Sequence, residues 1–398
     1  MTETYLVTGG AGFIGANYVK MLCGRSSDRP RVVVLDALTY AGNINSLAPE
    51  IASGAVEFVK GSVCDAALAD SLMKKFDPDY IVHFAAESHV DRSIDNPAPF
   101  IESNIVGSQT LLEAARRHRD AQRADGKTPA LKKFIQVSTD EVYGQLPLDL
   151  PDGVEAPEEL QRKLGRSSEN DPVMMYGHGV FTEKTPLDPS SPYSASKASA
   201  DMMAMAYART FGMPVCITRC SNNYGPYQFP EKLIPLVINN LLHGKKLPVY
   251  GRGMNVRDWL HVDDHCRGIE AVVHKGVPGE VYNIGGFNEK RNIDLVRKLI
   301  AIVARLLSTE SRYAGLASCP VEDINESLIT YVADRAAHDA RYAIDSAKIM
   351  EHTGWRPQIP FEEGIEATVR WNLDNREWLD SVTSGEYMDY YNKMYANR

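Results

Sequence analysis

Long apolar runs are missing from this 398-residue chain, and no stretch reaches the roughly 20 residues that a membrane-spanning helix needs. Cysteine is scarce. The six residues (Cys23, Cys64, Cys216, Cys220, Cys266 and Cys319) are scattered and form no C-x-x-C pair, which argues against a disulfide framework or a zinc site. A basic excess is also absent. With 43 Lys and Arg against 52 Asp and Glu the formal charge is −9, whereas a nucleic-acid binder normally carries a basic stripe. There is no internal repeat or low-complexity tract, and residues 1–15 run directly into a strand and a glycine turn, with no room for a charged and apolar leader. The expectation is a cytoplasmic globular protein of one or two domains, with no nucleic-acid or membrane partner.

What the chain does contain is alternation. Short β-branched or apolar runs at 5–8, 32–35, 56–59, 80–84, 134–137 and 215–218 are separated by segments such as 14–22 and 104–118 with apolar residues at helical spacing. That rhythm predicts βαβ units and hence an α/β fold, a Rossmann-type doubly wound parallel sheet. It is broken at 146–180, rich in Pro, Gly, Asp and Glu around one helical candidate at 157–164. A second irregular stretch, 308–327, separates a predicted helix at 293–307 from an apolar run at 328–332. Beyond Asn222 the chain is punctuated by Pro and aromatics (Tyr224, Pro226, Tyr227, Phe229, Pro230, Pro235), the mark of a smaller α/β C-terminal substrate-binding domain. The expected division gives 1–221 and about 256–284 to a dinucleotide-binding unit with 146–180 inserted, and 222–255 and 285–398 to the smaller domain.

Gly9-Gly10-Ala11-Gly12-Phe13-Ile14-Gly15 follows the first strand and opens the first helix, the context that a dinucleotide fingerprint requires. Gly9 permits the tight turn, Gly12 lets the backbone approach a pyrophosphate, and Gly15 allows helix to pack closely on strand. The helix N-terminus then offers free N–H groups to the anion. Asp36 ends the second strand, where a carboxylate accepts both hydroxyls of a ribose. No Arg or Lys follows it in Ala37-Leu38-Thr39-Tyr40 to neutralise a 2′-phosphate, so NAD is expected rather than NADP.

Tyr193-Ser-Ala-Ser-Lys197 opens a predicted helix at 195–209, and a spacing of four places phenol and ammonium on one face. A neighbouring ammonium favours the phenolate, so Tyr193 is expected to have a lowered pKa and to act as a base. Alone, such a pair is an ordinary surface feature. Its company is Ser138-Thr139-Asp140-Glu141-Val142-Tyr143-Gly144 at the expected carboxyl end of the fifth strand, above which open α/β sheets bind ligands. Two adjacent acids there are either a solvated turn or a pair whose environments set opposite proton-transfer roles.

The glycine turn and the tyrosine-lysine pair resemble the extended short-chain dehydrogenase/reductases. Within them the segments 138–144, 192–197, 220–236, 257–265, 282–292 and 331–345 are similar to the dTDP-glucose 4,6-dehydratases. The resemblance implies catalysis by Thr139, Asp140, Glu141, Tyr193 and Lys197. It further implies NAD contacts at Gly9, Gly12, Phe13, Ile14, Gly15, Asp36, Ser62, Val63, Ala85, Ala86, Tyr193 and Lys197. Nucleotide-sugar contacts are implied at Ser88, Thr139, Asn222, Lys232, Leu233, Pro248, Tyr250, Arg257, Asn292, Arg335 and His338, with Glu87 a further candidate and His89 a packed residue. A tightly held NAD, a nucleotide-sugar substrate and a homodimer built through 104–118 and 195–209 are implied with them. His261-Val-Asp-Asp-His265 lacks the ligand cluster of a metal site, and none is expected.

Departures from the family pattern stand at Ser62, where relatives commonly carry Asp, and at Ala336-Ala337, where they commonly carry Pro-Gly. The 146–180 stretch is longer than the family's and suggests a lid or a subunit contact. A UDP-glucose 4,6-dehydratase, a nucleotide-sugar 4-epimerase and a non-catalytic dinucleotide sensor remain as rival readings of the same residues.

Overall fold

In the computed structural model, residues 2–148, 153–156, 158–163 and 173–383 are described. Seven strands, β1 (Thr4–Thr8), β2 (Arg31–Asp36), β3 (Val56–Lys60), β4 (Tyr80–His83), β5 (Lys133–Thr139), β6 (Val215–Cys220) and β7 (Val281–Ile284), form one sheet in the order β7-β6-β5-β4-β1-β2-β3. Every pairing is parallel. The first six strands fall on the six apolar runs. They are apolar at successive positions because both faces are covered, and every residue of β1 and β5 is buried.

Side-chain alternation along β1 splits the core in two. Tyr5 and Val7 point to one face, where Val19 and Leu22 of helix Phe13–Cys23 meet Ile269 and Val272 of helix Val262–Lys275. Leu6 points to the other and packs with Leu72, Leu111, Phe134 and Ala204, under the helices Ala66–Phe76, Ser108–Ala124 and Pro192–Phe211. Local sequence sets the ends of the last helix. Ser191 and Ser194 form a capping box, Pro192 occupies the first turn, and Gly212 closes it in a left-handed conformation at φ 59°. The 104–118 segment begins differently from expectation: Ile101–Gly107 is π-helical and regular α-helix starts at Ser108.

A second core gathers Tyr224, Ile238, Leu299, Val303, Phe361 and Ile365. The 293–307 helix runs Asn292–Thr309, and the 328–332 run is strand Ile329–Val332, paired in parallel with Leu247–Tyr250. Strand Val256–His261 pairs with Asn222–Tyr224 and Glu289–Arg291, whereas the helix that follows it covers the seven-stranded sheet. Between 308 and 327 the chain makes short 3-10 turns at Ser311–Tyr313, Val321–Asp323 and Glu326–Leu328. Within 146–180, Val154–Glu155 pairs antiparallel with Met174–Met175 around helix Glu158–Lys163. Buried Arg341 holds the end of this excursion, accepted by the Gly179 carbonyl at 3.0 Å and by both oxygens of Glu289 at 2.8 Å.

Candidate active site

The strand order reverses between β1 and β4, and the crevice at the carboxyl ends of these strands opens into a cavity of about 560 Å³. Its floor is the glycine turn. Gly9 has φ 69°, and a Cβ there would stand 2.6 Å from the Ala85 nitrogen, so the turn lies directly against the end of β4. A Cβ on Gly15 would come within 2.2 Å of the Gly9 carbonyl oxygen. At Gly12 it would meet nothing closer than that same oxygen at 3.3 Å, so this glycine keeps space open rather than relieving a clash. No side chain caps helix Phe13–Cys23 and no acid stands in its first turn. An uncapped helix start beside an open cradle suits a phosphate group.

Asp36 is buried at the end of β2. Its oxygens accept the N–H groups of Ala11 and Leu38 at 2.8 Å each, and each keeps a lone pair for a further donor. Ser62, Val63, Ala85, Ala86, Glu87 and Ser88 line the same cavity. Together with the glycine cradle these groups fit a dinucleotide, and buried Asn222 Oδ1, also in the wall, has no hydrogen-bond partner among the described residues.

Thr139, Asp140, Glu141, Tyr193 and Lys197 all line the cavity. Thr139 ends β5 and its hydroxyl accepts the Glu141 N–H at 3.3 Å, starting the 3-10 turn Asp140–Tyr143 that aims the two acids. That hydroxyl also donates to Asp140 Oδ1 at 3.3 Å and adjoins the Tyr193 phenol. Asp140 is 2% exposed, and its Oδ2 has no hydrogen-bond partner among the described residues. Burial, then the neighbouring charges of Glu141 and Asp258, push its pKa well above the carboxylate range. Glu141 is also raised by burial, but Arg335, Lys232 and Arg257 oppose the rise.

The expected lowering of the Tyr193 pKa is not found. Burial and the Glu141 charge push the phenol well above 10, and the Lys197 ammonium donates to the Val137 carbonyl at 2.7 Å instead. Spacing puts the pair on one helix face, yet the ammonium points to the strand behind it. Burial in turn lowers the Lys197 pKa, against the opposing charge of Asp201.

Of the residues expected to hold the sugar nucleotide, Ser88, Thr139, Asn222 and Lys232 line the cavity. Lys232 Nζ donates to the Ser88 carbonyl at 3.0 Å. Leu233, Pro248, Tyr250, Arg257, Asn292, Arg335 and His338 do not line it. Tyr250 and Arg335 converge on Asp91, at 3.1 and 3.4 Å, and the His338 ring stands edge-on to Tyr250. Arg257 donates to the Val256 and Asp339 carbonyls at 2.8 Å and lies over the Tyr342 ring. Arg257 and Arg335 are close enough to influence Glu141, so this cationic group flanks the acids. Pro248 lies in strand Leu247–Tyr250, Leu233 opens helix Leu233–Leu242 and Asn292 opens helix Asn292–Thr309.

Sequence reasoning missed several wall residues, among them Thr39, Gly42, Cys220, Gln228, Phe229 and Glu231. Glu231 had one signal, its place beside Lys232. None of the described residues of 146–180 lines the cavity. His89 caps helix Val90–Asp95, His261 caps helix Val262–Lys275, and His265 pairs with the Asn223 side chain at 2.9 Å. Among the described residues no three His, Cys, Asp or Glu converge as metal ligands, and no helix is long and apolar enough to cross a membrane.

The sequence model of the NAD dependent epimerase/dehydratase family matches residues 5–285. A dTDP-glucose 4,6-dehydratase of Escherichia coli K12 is 48% identical over 393 residues, covering 99% of each chain. Among solved structures, a Streptomyces venezuelae dTDP-glucose 4,6-dehydratase with NAD and dTDP bound superposes with a TM-score of 0.78 at 43% identity, covering 95% of this chain and 99% of that one. A Bacillus anthracis dTDP-glucose 4,6-dehydratase in complex with NAD gives 0.74 at 42% identity, over 96% and 99%.

Proposed function

This chain belongs to the NAD-dependent epimerase/dehydratase family, and from that premise we propose how its residues divide the work of one reaction. It is a hydro-lyase that uses NAD to convert dTDP-glucose into dTDP-4-keto-6-deoxyglucose and water. Bound NAD supplies the hydride acceptor for C4 of the sugar and the hydride donor for C6.

Gly9, Gly12 and the start of helix Phe13–Cys23 hold the pyrophosphate, and Asp36 the adenosine ribose. Tyr193, with the Thr139 hydroxyl beside it, takes the C4 hydroxyl proton. Burial and the Glu141 charge oppose loss of the phenol proton, an opposition that the positive charge of bound oxidised NAD would offset, and Lys197 holds its place through the Val137 carbonyl. Glu141 removes the C5 proton, which the new C4 ketone acidifies, and returns a proton to C5 once C6 has received its hydride. Asp140 delivers its proton to the departing C6 hydroxyl. The sugar nucleotide is held between the seven-stranded unit and the smaller domain, with Arg257 and Arg335 on the diphosphate side.

The observation that carries this reading is the electrostatic split between Asp140 and Glu141 at the end of β5. Burial and the Glu141 charge raise Asp140 well above the carboxylate range, while three cations oppose the rise at Glu141, the opposite biases that elimination across C5 and C6 requires. A 4-epimerase needs neither acid. Incubation with dTDP-glucose and with UDP-glucose, scored by mass, separates the rivals. Loss of one water from dTDP-glucose is expected; unchanged mass would identify an epimerase, and preferential turnover of UDP-glucose would move the substrate. NAD binding without any turnover would leave a sensor.

The enzyme acts in the cytoplasm as a homodimer formed through helices Ser108–Ala124 and Pro192–Phe211, near which Ile101, Val106 and Met202 are exposed. Sedimentation at the monomer mass would rule that assembly out, and recovery of the native protein in a membrane or periplasmic fraction would rule out the location.

A further inference from the structure

Helix Arg376–Thr383 lies across two loops that both line the cavity. Ala41, after β2, and Phe229, after strand Asn222–Tyr224, contribute to the cavity wall and also pack with Trp378 and Val382. Polar contacts fasten the seam. Trp378 Nε1 donates to Ser46 Oγ, and Asn43 Nδ2 to Ser381 Oγ, each at 3.0 Å. Tyr227 anchors the helix from the other loop. Its backbone is left-handed, at φ 66°, and its ring centroid lies 4.7 Å from that of Trp371 and 5.5 Å from that of Trp378.

The two loops also meet directly. Tyr40 Oη donates to Glu231 Oε1 at 3.0 Å, and the Tyr40 ring stands edge-on to Phe229. Gly42, next to Ala41, abuts the Asp36 carboxylate: a Cβ there would lie 2.9 Å from Oδ1. The helix therefore straps the cavity at the end where Asp36 stands.

We propose that this strap retains the cofactor through the turnover, with Trp378 and Phe229 as positioning residues that control its escape. The proposal rests on the assignment of Asp36 to the NAD ribose. For the adenosine half to leave past Asp36, Ala41 and Phe229 must separate, and that opening exposes Phe229, Trp378 and Val382 to water. Such a contact acts on the dissociation rate. Retention matters to the chemistry because cofactor lost in its reduced form would leave the keto-sugar without the hydride that C6 needs.

The test is exchange of NAD bound to the purified holoenzyme against isotopically labelled NAD, followed by mass spectrometry, for the wild type and Trp378→Ala. Exchange about tenfold faster in the variant is expected, with NADH detected in solution during turnover. Unchanged exchange in a variant that melts within a few degrees of the wild type overturns the strap. Should Trp378→Ala not fold, amide hydrogen exchange on the wild type decides. Protection of 40–46 and 376–383 on adding NAD supports the strap, and protection confined to the 9–15 turn overturns it. If 9–15 gains no protection and no NAD binds, the cofactor assignment itself fails and the strap falls with it.

Discussion

Glu141 raises the pKa of its sequence neighbour Asp140: after burial, its negative charge is the largest cause of that rise. In the proposed division of roles, the base for C5 thus supports the acid for C6. Asp140→Asn is expected to lower kcat about 100-fold or more, while the first turnover still reduces NAD, visible as NADH absorbance. Glu141→Gln should also permit C4 oxidation but stop solvent-isotope incorporation at C5. Normal C5 exchange in that variant would remove Glu141 as the base.

Two glycines of one turn should fail in different ways. Gly15→Ala places a methyl 2.2 Å from a backbone oxygen, so both melting temperature and NAD affinity should fall. Gly12→Ala meets only a 3.3 Å contact, so its melting temperature should stay within a few degrees while NAD binds about tenfold or more weakly. Calorimetric melts and NAD titration on both variants check this; equal loss of stability would refute an open cradle at Gly12.

Ala337 adopts φ 52°, a left-handed conformation that costs an L-residue about 1 kcal/mol. A glycine at this position removes the cost. Ala337→Gly should raise the urea midpoint slightly, by up to about 1 kcal/mol once the entropy of glycine is offset. Because Arg335 and His338 flank it, KM for dTDP-glucose is expected to change more than kcat. A loss of stability would mean that the methyl group packs favourably.

Glu270 is a half-buried hub. Its carboxylate accepts from Tyr5 at 3.0 Å, Tyr18 at 2.5 Å, and Arg25, with His274 at 2.7 Å. Although burial alone would raise it, hydrogen bonds from His274, Tyr18 and Arg25 bring its pKa from the ordinary 4.5 down to about 2. A carboxyl depressed on folding contributes stability that is complete above pH 4.5 and is lost as pH falls through about 2. The contribution is on the order of 3 kcal/mol. Glu270→Gln should unfold at lower urea than the wild type at pH 7, and the gap should narrow by pH 3. A gap independent of pH would assign the loss to packing.

The parts legible in sequence were those whose determinants are local. β1 to β6 could be placed because strands covered on both faces are apolar along their length. The turn at Gly9–Gly15 and the Thr139-Asp140-Glu141 run could be placed because their chemistry lies in consecutive residues. The Tyr193 pKa was misjudged because spacing fixes a helix face but not where an ammonium finds its carbonyl. Tyr227 and Trp378 are far apart in the chain, so no window contains the strap they form. The 308–327 stretch resisted because 3-10 turns have no apolar period to detect.

The Glu270 hub also sets an order of assembly. β1 precedes the other six strands in the chain, but Tyr5 pairs with a carboxylate 265 residues later, and β7 closes the sheet later still. One face of the nascent sheet therefore stays wet until helix Val262–Lys275 arrives, while the larger part of the smaller domain, 285–398, is still to be synthesised. The platform of the glycine turn can therefore be covered before the second core, which needs Leu299, Phe361 and Ile365, is complete.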